Sequence, residues 1–176
     1  MRSLILLSSL VAVAGAEPIT PTVETRTLPA PCRTVAEIPR DAATLTVHLD
    51  ATISAANCTA MNHLHALKLT PTQASADAIE QALAPSLDLL ELVVKNGDVA
   101  AQIVAHHAIA DLYQGATVAM RRTGRDGDAF TGRWQLKAQA AYSEAVRLAC
   151  QIPDRVSTDP VLAFAVSDSK FELAPR

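Results

Sequence analysis

From Asp41 to Leu69 the apolar residues Leu45, Leu49, Ile53, Ala56, Ala60, Leu64 and Leu67 return every three or four positions. That spacing matches a helix of about 3.6 residues per turn, so an amphipathic helix is predicted there. Thr44 to Leu49 alternates as a strand would, but the longer period covers more of the chain. Thr70-Pro71-Thr72-Gln73 then reads as a capping box, with Thr70 as N-cap and Pro71 at the first helical position. The helix it starts is predicted to run to Lys95 and to end at Asn96-Gly97, with Pro85 kinking or restarting it. Asp98 caps a third helix, Val99–Arg122, whose Val104, Ala108, Leu112, Ala116 and Ala119 share one face. A Gly-containing joint, residues 123–132, is predicted as a flexible turn. A fourth helix over residues 133–151 presents Trp134, Ala138, Ala141, Ala145 and Leu148. Pro153 is expected to stop it, and Asp159-Pro160 offers the cap of a short closing helix.

Four helices with short joints predict an all-α fold, an up-and-down bundle. The expected organisation is a signal peptide at 1–16, an extended Pro/Thr-rich lead at 17–40, the bundle at 41–152 and a C-terminal tail at 153–176. Arg2, the apolar run Leu4–Val13 and the small residues Ala14-Gly15-Ala16 have the order of a secretory signal. The run is too short to span a bilayer, which takes about 20 apolar residues, so no stable membrane anchor is expected after cleavage. Export to the periplasm or the secreted space follows. The lead, with Pro18, Pro21, Pro29 and Pro31 among threonines, favours extended backbone.

Composition supports helices. Of 176 residues, 33 are alanine and six are aromatic, whereas sheet cores draw on β-branched and aromatic side chains. Small side chains on helical stripes also suit close helix packing. The formal charge is −3, and −4 once Arg2 leaves with the signal. Neither value offers a basic footprint for nucleic acid.

Three cysteines remain after cleavage, Cys32, Cys58 and Cys150. An oxidising destination favours one disulfide, and three pairings are possible. With the first helix starting near Asp41, Cys58 lies about 25 Å along it. The segment from Cys32 to Asp41 can reach about 30 Å when extended, which favours Cys32–Cys58. Cys150 is then a buried thiol or an intermolecular link.

No complete catalytic set is legible. His106, His107 and Asp111 are weak metal candidates, because His107 and Asp111 stand one turn apart on one helical face. His63 or His65 could complete such a site, but no spacing requires it, and a surface pair is the simpler reading. Haem held with Met61 or Met120 lacks a Cys-x-x-Cys-His attachment, so no cofactor is expected. Cys58 and His65 lie about 10 Å apart along the helix, too far for a nucleophile and its base. The glycines form neither a phosphate loop nor a nucleophile elbow. Arg125-Asp126-Gly127-Asp128 resembles part of a calcium loop, but position 137 is Lys where the distal Glu belongs. Arg121, Arg122, Arg125 and Arg133 could meet an anion or complement helix dipoles. Asn57-Cys58-Thr59 is a glycosylation triplet placed mid-helix.

Two short stretches resemble known patterns. Leu69-Thr70-Pro71-Thr72-Gln73 resembles the Leu-Thr-x-x-Gln motif of small periplasmic helical chaperones and metal-stress sensors, over five residues that capping chemistry also explains. Ala138, Tyr142 and Ala145 are similar to one face of a tetratricopeptide helix, without a second copy of the repeat. Together these features predict an exported, non-catalytic helical module that binds another protein, with Trp134 and Tyr113 as candidate contact aromatics. The alternative is a small metal- or cofactor-binding helical bundle.

Overall fold

The computed structural model describes residues 35–38, 40, 41, 45 and 47–175, and these contain helices and no strand. The expected signal peptide, most of the lead and Cys32 lie outside the described residues. Six α-helices follow in order: α1 (Leu49–Ala66), α2 (Gln73–Asn96), α3 (Val99–Arg121), α4 (Gly132–Ala149), α5 (Pro153–Thr158) and α6 (Pro160–Leu173). Two 3-10 segments, Val35–Glu37 and Arg125–Phe130, are also described, and Leu45 and Val47 are helical ahead of α1.

The all-α class agrees with the sequence reading, but the helix count exceeds four. The fourth helix ends at Ala149, short of Pro153 as expected. Pro153 occupies the first turn of α5, where its missing N–H costs nothing. Asp159 then caps α6, its Oδ1 accepting from the amides of Val161 (2.9 Å) and Leu162 (3.3 Å). The tail therefore holds the short α5 and a 14-residue packed helix, α6. Leu162, Ala165 and Val166 are buried in a cluster with Ala100, Ile103 and Val104 of α3 and Ala145, Leu148 and Ala149 of α4.

Helix α3 lies in the middle of the fold, touching α1, α2, α4 and α6. Thirteen of its 23 residues are buried, six of them alanine, so neighbours cover more than one stripe. Small side chains make that possible by letting helix axes approach from several directions. The main core joins Leu45, Ala56, Ala60, Ile79, Leu83, Leu89, Leu90 and Met120 with the fully buried Trp134.

Capping differs in detail from expectation. Thr72, not Thr70, is the N-cap of α2, and its Oγ1 accepts from Ser75 N–H at 3.3 Å. The Ser75 hydroxyl in turn accepts from Thr70 N–H at 3.0 Å. Gln73 turns instead to Asp77, donating from Nε2 to Oδ1 at 2.6 Å. Asp98 caps α3 as expected, accepting from Ala101 N–H at 2.8 Å.

Pro85 leaves α2 continuous from Gln73 to Asn96. Contacts with α1 lie on either side of it. His63 Nδ1 lies 3.1 Å from the Ala82 carbonyl, and buried Ser86 donates to the Ala56 carbonyl at 2.7 Å. The end of the lead is likewise not extended. Val35 and Ile38 are buried in the core, and Val35 N–H donates to Thr59 Oγ1 at 3.0 Å. Two apolar residues three apart turn this stretch into a docked 3-10 segment.

Candidate functional site

The neighbouring histidines of α3 part company because successive helical residues point about 100° apart. His106 is half-buried, and burial holds its pKa below the usual imidazole value, with Glu144 opposing and Arg147 reinforcing the effect. His107 points toward α4 and α6 and is 8% exposed. Its Nε2 lies 3.0 Å from Asp168 Oδ2 on α6, and its Nδ1 lies 3.5 Å from Asp111 Oδ2, one turn along α3. Tyr142 of α4 and Phe164 of α6 flank the imidazole edge to face, with ring centroids 5.9 and 5.8 Å away.

The polar chain continues beyond the imidazole. The Tyr142 hydroxyl is 2.8 Å from Asp111 Oδ1 and 2.9 Å from Gln114 Oε1. Gln114 Nε2 donates to Glu172 Oε2 at 2.8 Å. One phenolic hydrogen faces two acceptors, which share it. Burial, aided by nearby Asp168 and Glu172, holds the Asp111 carboxyl above its usual value, although His107 and the Tyr142 hydrogen bond oppose the effect. The Tyr142 phenol is pushed up by burial and by Asp111. A cleft of about 500 Å³ adjoins this chain, bordered by Gln114, Tyr142 and Glu172 together with Thr117, Gln139 and Leu173.

Of the metal candidates named from sequence, the structure keeps His107 and Asp111 together and separates His106. The third group that comes with them is Asp168: ligand atoms of His107, Asp111 and Asp168 all lie within 4.8 Å of one another. Asp168, Gln114, Tyr142 and Glu172 were not legible as partners. The one sequence signal near Asp168 was the Asp159-Pro160 cap, which announces its helix but not the face it packs on.

Other candidates take structural roles or face elsewhere. His63 and His65 are exposed on α1, and His65 borders a groove of about 530 Å³ with Met61, Leu67, Val118 and Arg122. Met120 is fully buried, whereas Met61 is exposed. Arg121 pairs with Asp128 at 3.0 Å, so that aspartate of the calcium-like stretch is engaged by a cation of its own chain. Arg133 lies 3.3 Å from Glu80 and over the Trp134 ring at 5.3 Å. Trp134 donates its indole N–H to Glu80 at 3.2 Å and is fully buried, so it is no surface anchor. Tyr113 is half-buried, with the Lys137 ammonium 5.1 Å from its ring.

Cys150 is a free thiol and is exposed rather than buried. Cys58 is half-buried and is not free. Among the described residues no helix is long and apolar enough to cross a membrane. The chain matches no protein-family model, no curated protein and no solved structure.

Proposed function

We propose that this chain is an exported, non-catalytic interaction module that binds a partner protein through the outer face of α6. One observation carries the reading. Val161, Phe164 and Phe171 are 46%, 65% and 68% exposed, and positions 161, 164 and 171 fall on one helical stripe. Phe164, which meets His107 by one ring edge and leaves most of its surface in water, and Phe171, two turns on, suit an interface core, where aromatic side chains concentrate binding energy. The opposite side of α6 is buried through Leu162, Ala165, Val166 and Ser169, so the stripe stands on a packed helix. The complementary partner surface is an apolar groove or helix face.

Export rests on the signal-like residues 1–16, and the Cys32–Cys58 disulfide belongs to the same proposal. Val35 is bonded to Thr59, one residue from Cys58, and three residues of chain reach about 10 Å. That reach supports the pairing of Cys32 with Cys58, and Cys150 stands free at the end of α4.

Photocrosslinking residues placed at 164 and 171 test the interface, with exposed Gln139 as control. The expected result is a discrete adduct with a second protein from positions 164 and 171 and none from 139. Equal labelling from all three positions, or adducts only between copies of this chain, overturns the reading. Mass spectrometry of the exported chain is expected to begin at Glu17.

A further inference from the structure

His107 lies between two carboxyl groups, Asp168 at Nε2 and Asp111 at Nδ1. A carboxylate only accepts, so the 3.0 Å bond to Asp168 Oδ2 places a hydrogen on Nε2. With that hydrogen on Nε2, Nδ1 is the ring atom that can present a lone pair, and it faces Asp111 Oδ2 across 3.5 Å. A charge-assisted hydrogen bond between these atoms would draw them to about 2.7–2.9 Å. One tetrahedral ion with bonds of about 2.0–2.1 Å to each would hold them about 3.4 Å apart.

We propose that His107 Nδ1 and Asp111 Oδ2 bind a divalent transition-metal ion of the zinc class, with Asp168 as the carboxylate that orients the imidazole. The surroundings fit that chemistry. Metal-bound histidines commonly donate their second ring N–H to a carboxylate, as His107 does to Asp168. Tyr142 holds Asp111 by Oδ1 and leaves Oδ2 turned to the ring. Tyr142 and Phe164 pack on the imidazole and fix its plane. An imidazole nitrogen with a carboxylate oxygen suits zinc, copper or nickel better than calcium or magnesium. The Asp111 and Asp168 side chains are 40% and 36% exposed, which gives the ion an entry path and leaves its remaining positions to water. Such a site is open and exchangeable rather than a closed structural clamp.

This inference does not rest on the interaction reading, and crosslinking at 164 and 171 can fail or succeed independently of it. The test is a Zn²⁺ titration of the chelator-treated chain, in a Cys150→Ser background that removes the exposed thiol as a competing ligand. Calorimetry with chelator competition is expected to show one Zn²⁺ per chain. Asp111→Asn removes a ligand and abolishes stoichiometric binding, and Asp168→Asn weakens it about 10- to 100-fold. His65→Ala leaves it unchanged. His107→Gln is the direct variant; because His107 is buried, Asp111→Asn, nearly identical in shape and checked by circular dichroism, decides the matter if that variant does not fold. Absence of stoichiometric Zn²⁺ binding, or full binding by folded Asp111→Asn, overturns the proposal.

Discussion

Asp168 on α6 accepts a hydrogen bond from His107 on α3 at 3.0 Å, tying together residues 61 positions apart. The bond bridges the last helix and the central one, and its imidazole end is nine-tenths buried. Asp168→Ala leaves the Nε2 hydrogen without this acceptor. A hydrogen bond to a charged group is worth about 1.5–3 kcal/mol, and the partly exposed carboxylate brings the expected loss to about 1–2 kcal/mol. Metal-free urea unfolding checks this: the midpoint falls while the denaturant slope stays the same. An unchanged midpoint would mean that apolar packing alone docks α6.

Asp98 gives a pH-dependent prediction. The amide of Ala101 holds its carboxyl below the usual range, with help from Arg155 at 2.9 Å. A depressed native pKa stabilises the fold above the unfolded value, about 3.9, and that contribution fades as pH falls through the lower native value. Asp98→Ala is therefore expected to cost about 1 kcal/mol at neutral pH. The gap between variant and parent should close on acidification. Melting curves at pH 7 and near pH 3 distinguish this from a gap that stays constant.

Two glycines should respond oppositely to alanine. Gly115 lies inside α3, and a Cβ added there meets nothing within 4 Å. Gly115→Ala is expected to stabilise the fold by about 0.5–1 kcal/mol, the usual helical cost of glycine. Gly127 is buried in the 3-10 segment, where a Cβ would strike the Met120 carbonyl oxygen and come within 2.7 Å of Thr123 Oγ1. Gly127→Ala is therefore expected to destabilise, because a backbone carbonyl gives way less readily than a side chain. Thermal shifts of the same sign in both variants would contradict this account.

The thiols can be counted directly. The folded, exported chain is expected to take up one equivalent of alkylating reagent without reductant, at Cys150, and three after reduction and unfolding. Uptake at Cys32 or Cys58 before reduction would remove the proposed crosslink.

The helices were legible in the sequence because their determinants are local. Thr72, Asp98 and Asp159 bond to amides two or three residues ahead, and Asn96-Gly97 marks the end of α2 where the sequence placed it. Even the Thr70-for-Thr72 difference was a choice between two hydroxyls in one capping segment. The site was half legible for the same reason. His107 and Asp111 share a face because they stand four apart on one helix.

The rest depended on packing. Helix α3 is apolar on several sides, so its period does not say which histidine turns to α6. Exposed Phe164 beside buried Leu162 follows from where α6 docks, not from any sequence spacing. Trp134 offered a surface anchor in the sequence, and a core that closes over it turned it inward to Glu80. Alanine-rich sequence by itself determined that the chain would be helical and where most helices begin and end, since propensity and capping act within a few residues. Which polar groups meet, Asp168 with His107 and Tyr142 with Asp111, was decided only by the tertiary structure, because small alanine faces allow many helix arrangements and the summed fit of all the helices selects one.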